Sequence, residues 1–132
     1  MPQYFTNKAI SDMNLNLQEQ NFYLAFEENE IIGFISINKK SAEVAEISWL
    51  AVRPLCQRHG FGTALVNHAI SELKTQSTKI LMVKTLSKDA NYTSYEQTLN
   101  FYEKLGFLQV DTIEHYPSWE PGNPCAIYVL IL

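Results

Sequence analysis

The sequence predicts an α/β fold, of the α+β kind: a mixed β-sheet with helices packed on it. Three observations predict it. Short apolar runs of strand length recur along the 132-residue chain. Two longer runs with helical spacing interrupt them, giving the order β-β-β-α-β-α-β-β. The chain ends in Ala126–Leu132, apolar on both faces, which places the last strand inside the sheet rather than at its edge.

Residues 1–20 are polar, with scattered apolar positions at Ile10, Met13, Leu15 and Leu17; that spacing predicts a short helix around 9–19. Phe22–Phe26 and Ile31–Ile37 flank Glu27-Glu28-Asn29-Glu30, a β-hairpin with an acidic turn. Ala42–Val52 is a third strand, and 55–60 a loop. Phe61–Thr75 is a helix, with Phe61, Leu65, Ala69 and Leu73 every four residues and Val66 and Ile70 widening the stripe. Lys79–Leu86 has apolar residues on both faces, as a buried central strand does. Tyr92–Leu105 is a second helix with Tyr95, Leu99 and Tyr102 on one stripe, ended by Gly106. Phe107–Tyr116 is a strand, and 117–124 a loop holding three prolines and a glycine.

The length suits one domain, 1–132. Hydrophobic residues make up 46% and charged residues 18%, a globular rather than a disordered balance. The net charge of −4 disfavours nucleic acid and favours cationic partners such as amines. Cys56 and Cys125 have no framework spacing and read as free thiols in a reducing cytosol. No signal peptide is apparent and no apolar run approaches the ~18 residues of a membrane span, so a cytoplasmic protein without membrane attachment is expected. Cys56-x-x-His59 lacks the further ligands a metal needs, since neither His68 nor Cys125 stands at a recognised spacing.

Gln57-Arg58-His59-Gly60-Phe61-Gly62 is the most informative segment. It joins a strand to a helix through a basic turn with two glycines. Such a turn exposes successive backbone N–H groups at the positive end of a helix dipole, which suits phosphate oxygens. The other reading is an ordinary strand-to-helix loop. A Walker loop is excluded by the missing lysine, and a dinucleotide fingerprint by Leu65, which stands where the third glycine belongs.

The pattern Gln/Arg-x-x-Gly-x-Gly/Ala after a strand resembles the pyrophosphate loop of the GCN5-related N-acetyltransferases. A second motif of that family, Phe-Tyr-x-x-x-Gly-Phe, matches Phe101-Tyr102-Glu103-Lys104-Leu105-Gly106-Phe107. The resemblance runs from about Phe22 to Leu132. It implies an acyl-CoA N-acyltransferase fold with a shortened N-terminus, because only 21 residues precede Phe22 and the family's first strand has no clear counterpart.

The resemblance further implies acetyl-CoA as co-substrate and a primary amine as acceptor, on a small molecule or as a protein lysine or N-terminus. The backbone N–H groups across Gln57, Arg58, His59, Gly60, Phe61, Gly62 and Thr63 would hold the pyrophosphate, with Arg58 either a phosphate contact or a surface charge. The backbone of Ala51 and Val52 would pair with the pantetheine arm, their side chains lying in the core. Tyr102 would be the general acid for a departing thiolate of pKa about 8.5, or an aromatic core residue. Glu46 would be the general base, on a face shared with Ser48 and Leu50, or a solvent-facing carboxylate. Many family members carry a coenzyme-binding asparagine where this chain has Tyr95; Asn91 or Tyr92 are the nearby substitutes. Trp119, Glu120 and His115 either border the acceptor pocket or pack their loop. A homodimer would complete a pocket left open by the short N-terminus. Two other functions fit the same fold, a non-catalytic acyl-CoA sensor and an interaction module.

Overall fold

The computed structural model describes residues 10–15, 20–57, 60–86, 93–113 and 124–132. Seven strands and two α-helices lie among them, in the order β1 (Ile10–Leu15), β2 (Gln20–Glu27), β3 (Glu30–Lys39), β4 (Val44–Val52), α1 (Phe61–Thr75), β5 (Ile80–Leu86), α2 (Thr93–Lys104), β6 (Leu108–Ile113) and β7 (Cys125–Ile131). They fall into two compact units, the first ending at Lys79 with Leu132 added, the second running from Ile80 to Ile131.

In the first unit β1 to β4 form an antiparallel meander, each strand paired with the next. The hairpin between β2 and β3 closes through Glu28 and Asn29, whose φ angles are 52° and 67°. Two successive left-handed residues make the type I′ turn, whose twist matches the flanking strands. The expected helix around 9–19 is instead strand β1 over Ile10–Leu15, running against Gln20–Ala25. The first strand is therefore present rather than missing. Pairing with β2 supplies the ladder that a short polar segment lacks by itself, which outweighs its helix-like apolar spacing.

Helix α1 spans the predicted residues. Phe61, Leu65, Val66, Ala69 and Leu73 are buried on it, and the helix packs on β2, β3 and β4. Tyr23, Ile35, Ile37, Ala45 and Ile47 on these strands are all under 5% exposed. The Tyr23 ring meets the His68 ring edge-on at 4.9 Å. The helix ends at Ser77, in the left-handed region at φ 60°, where Ser77 N–H bonds the Lys74 carbonyl and Thr78 N–H the Leu73 carbonyl. That is a Schellman ending with serine where glycine is usual.

In the second unit β7 lies between β5 and β6 and runs antiparallel to both. The terminal strand is thus an inner one, as its apolar faces predict. Leu81, Val83, Leu99, Tyr102, Phe107, Cys125, Ala126 and Tyr128 form its core. No helix among the described residues is long and apolar enough to cross a membrane.

Candidate active site

Strand β4 carries the first part of the candidate site. Its register with β3 slips between Ser36 and Ile37, so that Ser36 opposes Trp49 while Ile37 opposes Ile47. Ser48 is the extra residue of a β-bulge, and a bulge changes which side chains share a face. Directly opposed residues point to the same side. Ala45, Ile47, Leu50 and Val52 therefore share the face of Ile37 and Ile35, the side that carries α1, while Glu46, Trp49 and Ala51 share the other with Asn38, Ser36 and Phe34. The expectation that Glu46 shares its face with Ser48 and Leu50 is corrected. Period-two counting fails across one inserted residue.

Glu46 is neither solvent-facing nor bare. It is 9% exposed, and the Lys40 Nζ lies 3.2 Å from its Oε1. That contact engages one of the two carboxylate oxygens.

Strand β4 ends at Val52 as the sequence predicts, but its last two side chains are not buried. Ala51 is exposed and Val52 half-buried, so neither side chain is a core residue. The backbone here is held closely. Gln57 Nε2 donates to the Val52 carbonyl at 3.1 Å, and Arg53 N–H donates to the Ile32 carbonyl at 2.7 Å. Gly33 opposes Val52, and a Cβ at Gly33 would stand 2.8 Å from the Ala51 carbonyl oxygen. Only glycine permits that approach.

From β4 the chain passes through a single 3-10 turn at Pro54–Cys56 into the glycine loop. Gly60 is the N-cap of α1 with φ 85° and ψ 5°, a left-handed conformation open to glycine and costly to other residues. The first helical hydrogen bond runs from Ala64 N–H to the Gly60 carbonyl at 3.0 Å. The N–H groups of Phe61, Gly62 and Thr63 precede it and have no acceptor within the helix. No side chain caps this end and no acidic residue stands in the first turn. Phe61 is 2% exposed and anchors the helix start, leaving exposed Thr63 and half-buried Gly62 at the surface. The N–H groups of Gly62 and Thr63, at the positive end of the helix and near the surface, suit an anion. Arg58 and His59 lie outside the described residues.

The second motif has a physical cause that its spacing hints at. Gly106 sits at φ +99°, its N–H bonds the Glu103 carbonyl at 3.0 Å, and Phe107 N–H bonds the Tyr102 carbonyl at 3.0 Å. This is a complete Schellman ending of α2, with Gly106 in the left-handed position. Such endings bring together the residue after the glycine and the one five before it. Here those are Phe107 and Tyr102, whose rings meet at 5.3 Å and 66°. Phe-Tyr-x-x-x-Gly-Phe is thus a device that ends a helix and holds the tyrosine ring from one side. Phe101 holds it from another, at 5.1 Å and 72°.

Tyr102 is 4% exposed, and burial raises its phenol well above 10.0. Its neighbour Glu103 accepts a hydrogen bond from the Tyr128 hydroxyl at 3.0 Å. Burial, that hydrogen bond and the Glu103 charge together push Tyr128 from 10.0 up to about 12. Sequence reasoning missed this pair, because β7 reads as purely apolar and Tyr128 as one more core residue.

Tyr102 lies in the second unit, and Glu46, Ala51, Val52, Gln57 and Gly60–Thr63 in the first. Asn91, Tyr92, His115, Trp119 and Glu120 lie outside the described residues, as does the Tyr95 side chain. Among the described residues no group of three or more His, Cys, Asp or Glu side chains could hold a metal ion.

The chain is similar to known proteins. The family model for the Acetyltransferase (GNAT) family matches residues 2–107. A [ribosomal protein bS18]-alanine N-acetyltransferase of Haemophilus influenzae is 31% identical over 102 residues, covering 76% of this chain and 64% of that protein. A mycothiol acetyltransferase of Streptomyces scabiei is 33% identical over 100 residues, covering 74% of this chain and 30% of that one. The chain thus spans less than two thirds of the length of these relatives. A GNAT family acetyltransferase from Elizabethkingia anophelis, solved with acetyl-CoA bound, superposes with a TM-score of 0.72 at 27% identity, covering 99% of this chain and 80% of that one. The fold is accordingly the GNAT acyl-CoA N-acyltransferase fold, and the first strand expected to be missing completes it. With a family model matched over most of its length, the chain belongs to the GNAT family of acetyltransferases.

Proposed function

We propose that this protein transfers acetyl from acetyl-CoA to a primary amine by direct attack in a ternary complex. The observation that carries the reading is the start of α1. A glycine N-cap at φ 85°, a first turn with no side-chain cap, and the N–H groups of Gly62 and Thr63 fit the pyrophosphate of the coenzyme. The acetyl-CoA bound to the Elizabethkingia relative supports that choice of anion.

In this reading the N–H groups of Gly62 and Thr63 hold the pyrophosphate, and a role for Arg58 and His59 at the same anion is part of the proposal. The backbone of Ala51 and Val52 pairs with the pantetheine arm and steadies the thioester oxyanion. The amine nitrogen attacks the thioester carbonyl carbon, the C–N bond forms, and Glu46 takes the proton that nitrogen loses. The C–S bond then breaks, and the sulfur takes the Tyr102 proton, leaving an amide and free coenzyme A. Burial raises Tyr102, which keeps it protonated and makes it a hydrogen-bond donor to the developing thiolate. The same shift makes full proton transfer uphill to a thiol of pKa about 8.5, so donation comes late, as the C–S bond breaks.

The acceptor amine sits on a small molecule or on a protein lysine or N-terminus; relatives bear names of both kinds. A single domain working in the cytoplasm fits a reducing environment for Cys56 and Cys125, both free thiols. The test is an amine panel with acetyl-CoA, read as thiol release. Acetylation of at least one amine is expected, with kcat falling about 10²-fold in Tyr102→Phe at an unchanged KM for acetyl-CoA. An unchanged kcat in that variant removes the acid role. Acetyl-CoA binding without turnover on any amine makes the protein a sensor instead.

A further inference from the structure

Trp49 is 67% exposed in the body of strand β4. An indole left in water in a strand, on a protein with this much core to fill, is a cost that a ligand can offset. The bulge at Ser48 sets where it points. Trp49 opposes Ser36 and Glu46 opposes Asn38, two residues apart on β3, so the indole and the carboxylate are consecutive side chains on one face. Consecutive positions on one face of a strand lie roughly 7 Å apart. Phe34 and Phe22 continue that face, half-buried, with ring centroids 6.4 Å apart. It is the side away from α1.

The carboxylate already shows what it accepts. Lys40, a primary ammonium on an exposed residue, sits 3.2 Å from Glu46 Oε1. It stands in for the ammonium of an incoming ligand, which would displace it. The indole beside it offers an aromatic face to the apolar body of such a ligand.

We propose that Trp49 and Glu46 form the acceptor subsite, and that its ligand is a primary amine carrying an apolar body. The ammonium meets the Glu46 carboxylate and the body lies against the indole. The inference rests on the acetyl-transfer reading and adds to it the substrate class. Trp49 is here a specificity-determining residue; it touches no reacting atom.

The test is nuclear magnetic resonance of the isotope-labelled protein loaded with coenzyme A, following the Trp49 indole N–H signal. Comparison with Trp119→Phe assigns that signal. The probes are phenethylamine, ethylamine, which lacks the body, and 2-phenylethanol, which lacks the charge. Phenethylamine should move the signal saturably, with binding weaker by on the order of tenfold for either of the other two. Glu46→Gln should weaken phenethylamine binding and leave that of 2-phenylethanol unchanged. An indole signal indifferent to all three probes, while the Phe61–Thr63 amide signals respond to coenzyme A, overturns the subsite and leaves the transferase. A signal that moves with protein concentration alone also overturns it, because a second copy then covers Trp49. Amide signals that ignore coenzyme A, with an indole that binds phenethylamine, remove the acetyl-transfer reading and keep the amine site.

Discussion

Gly33 shows how one residue shapes the end of β4. The Ala51 carbonyl lies where a Cβ on Gly33 would come within 2.8 Å, and the obstacle is backbone rather than a flexible side chain. Gly33→Ala therefore displaces the Ala51–Val52 strand end or bends β3. A loss of about 1–3 kcal/mol in denaturant unfolding is expected, with weaker acetyl-CoA binding in the fraction that folds. Unchanged stability would mean that β4 has more room than its backbone position implies. At Tyr102 the prediction concerns pH. Its folded value lies above the usual 10.0, so the phenol stays protonated through the ordinary assay range. Any alkaline fall of kcat below pH 10 belongs to another group, and the Tyr102→Phe variant should keep it. At this scale the sequence was informative where glycine was. Gly60 and Gly106 stand out because few residues tolerate a positive φ. Trp49 was not legible, since a bulge is invisible to period-two counting and reassigns every side chain beyond it.

Elements were legible to the degree that their own periodicity decides them. Both helices and the six later strands lie within a few residues of expectation, and in α1, β3 and β7 the apolar positions match the faces they bury. Strand β1 was the failure. Ile10, Met13 and Leu17 have helical spacing, and only the ladder with β2 makes Ile10–Leu15 a strand. The two helix ends give further predictions. Ser77 occupies a left-handed position at φ 60°, so Ser77→Gly should raise stability by up to about 1 kcal/mol, read by thermal or denaturant unfolding. A decrease would mean that the serine side chain compensates for its backbone. Tyr128 ties β7 to the last turn of α2 through Glu103. Its folded value of about 12 exceeds the unfolded 10.0, so the folded state holds this proton more tightly. The stability it contributes is complete below pH 10 and is lost as pH rises through about 12. Tyr128→Phe should flatten that alkaline loss while lowering stability at neutral pH by about 1 kcal/mol, the usual net worth of a hydrogen bond. An alkaline unfolding curve identical to wild type would contradict the assignment.

For the whole molecule, the sequence carried family and fold but not acceptor. The two motifs are backbone devices, a glycine N-cap and a glycine-ended helix, and backbone geometry allows few residues at such places. Amine recognition depends on side chains, and several side chains near the last loop, Trp119 and Glu120 among them, lie outside the described residues. Coenzyme binding at the α1 start is the central claim, and it is open to direct measurement by calorimetric titration with acetyl-CoA, with ATP and NAD as controls. The account predicts selective, saturable binding of acetyl-CoA, weakened when Gly62 is replaced by valine. It also predicts a stabilisation of about 2.7 kcal/mol at a hundredfold excess over Kd. No heat and no stabilisation at millimolar acetyl-CoA would contradict it, leaving a GNAT fold whose helix start holds some other anion or none.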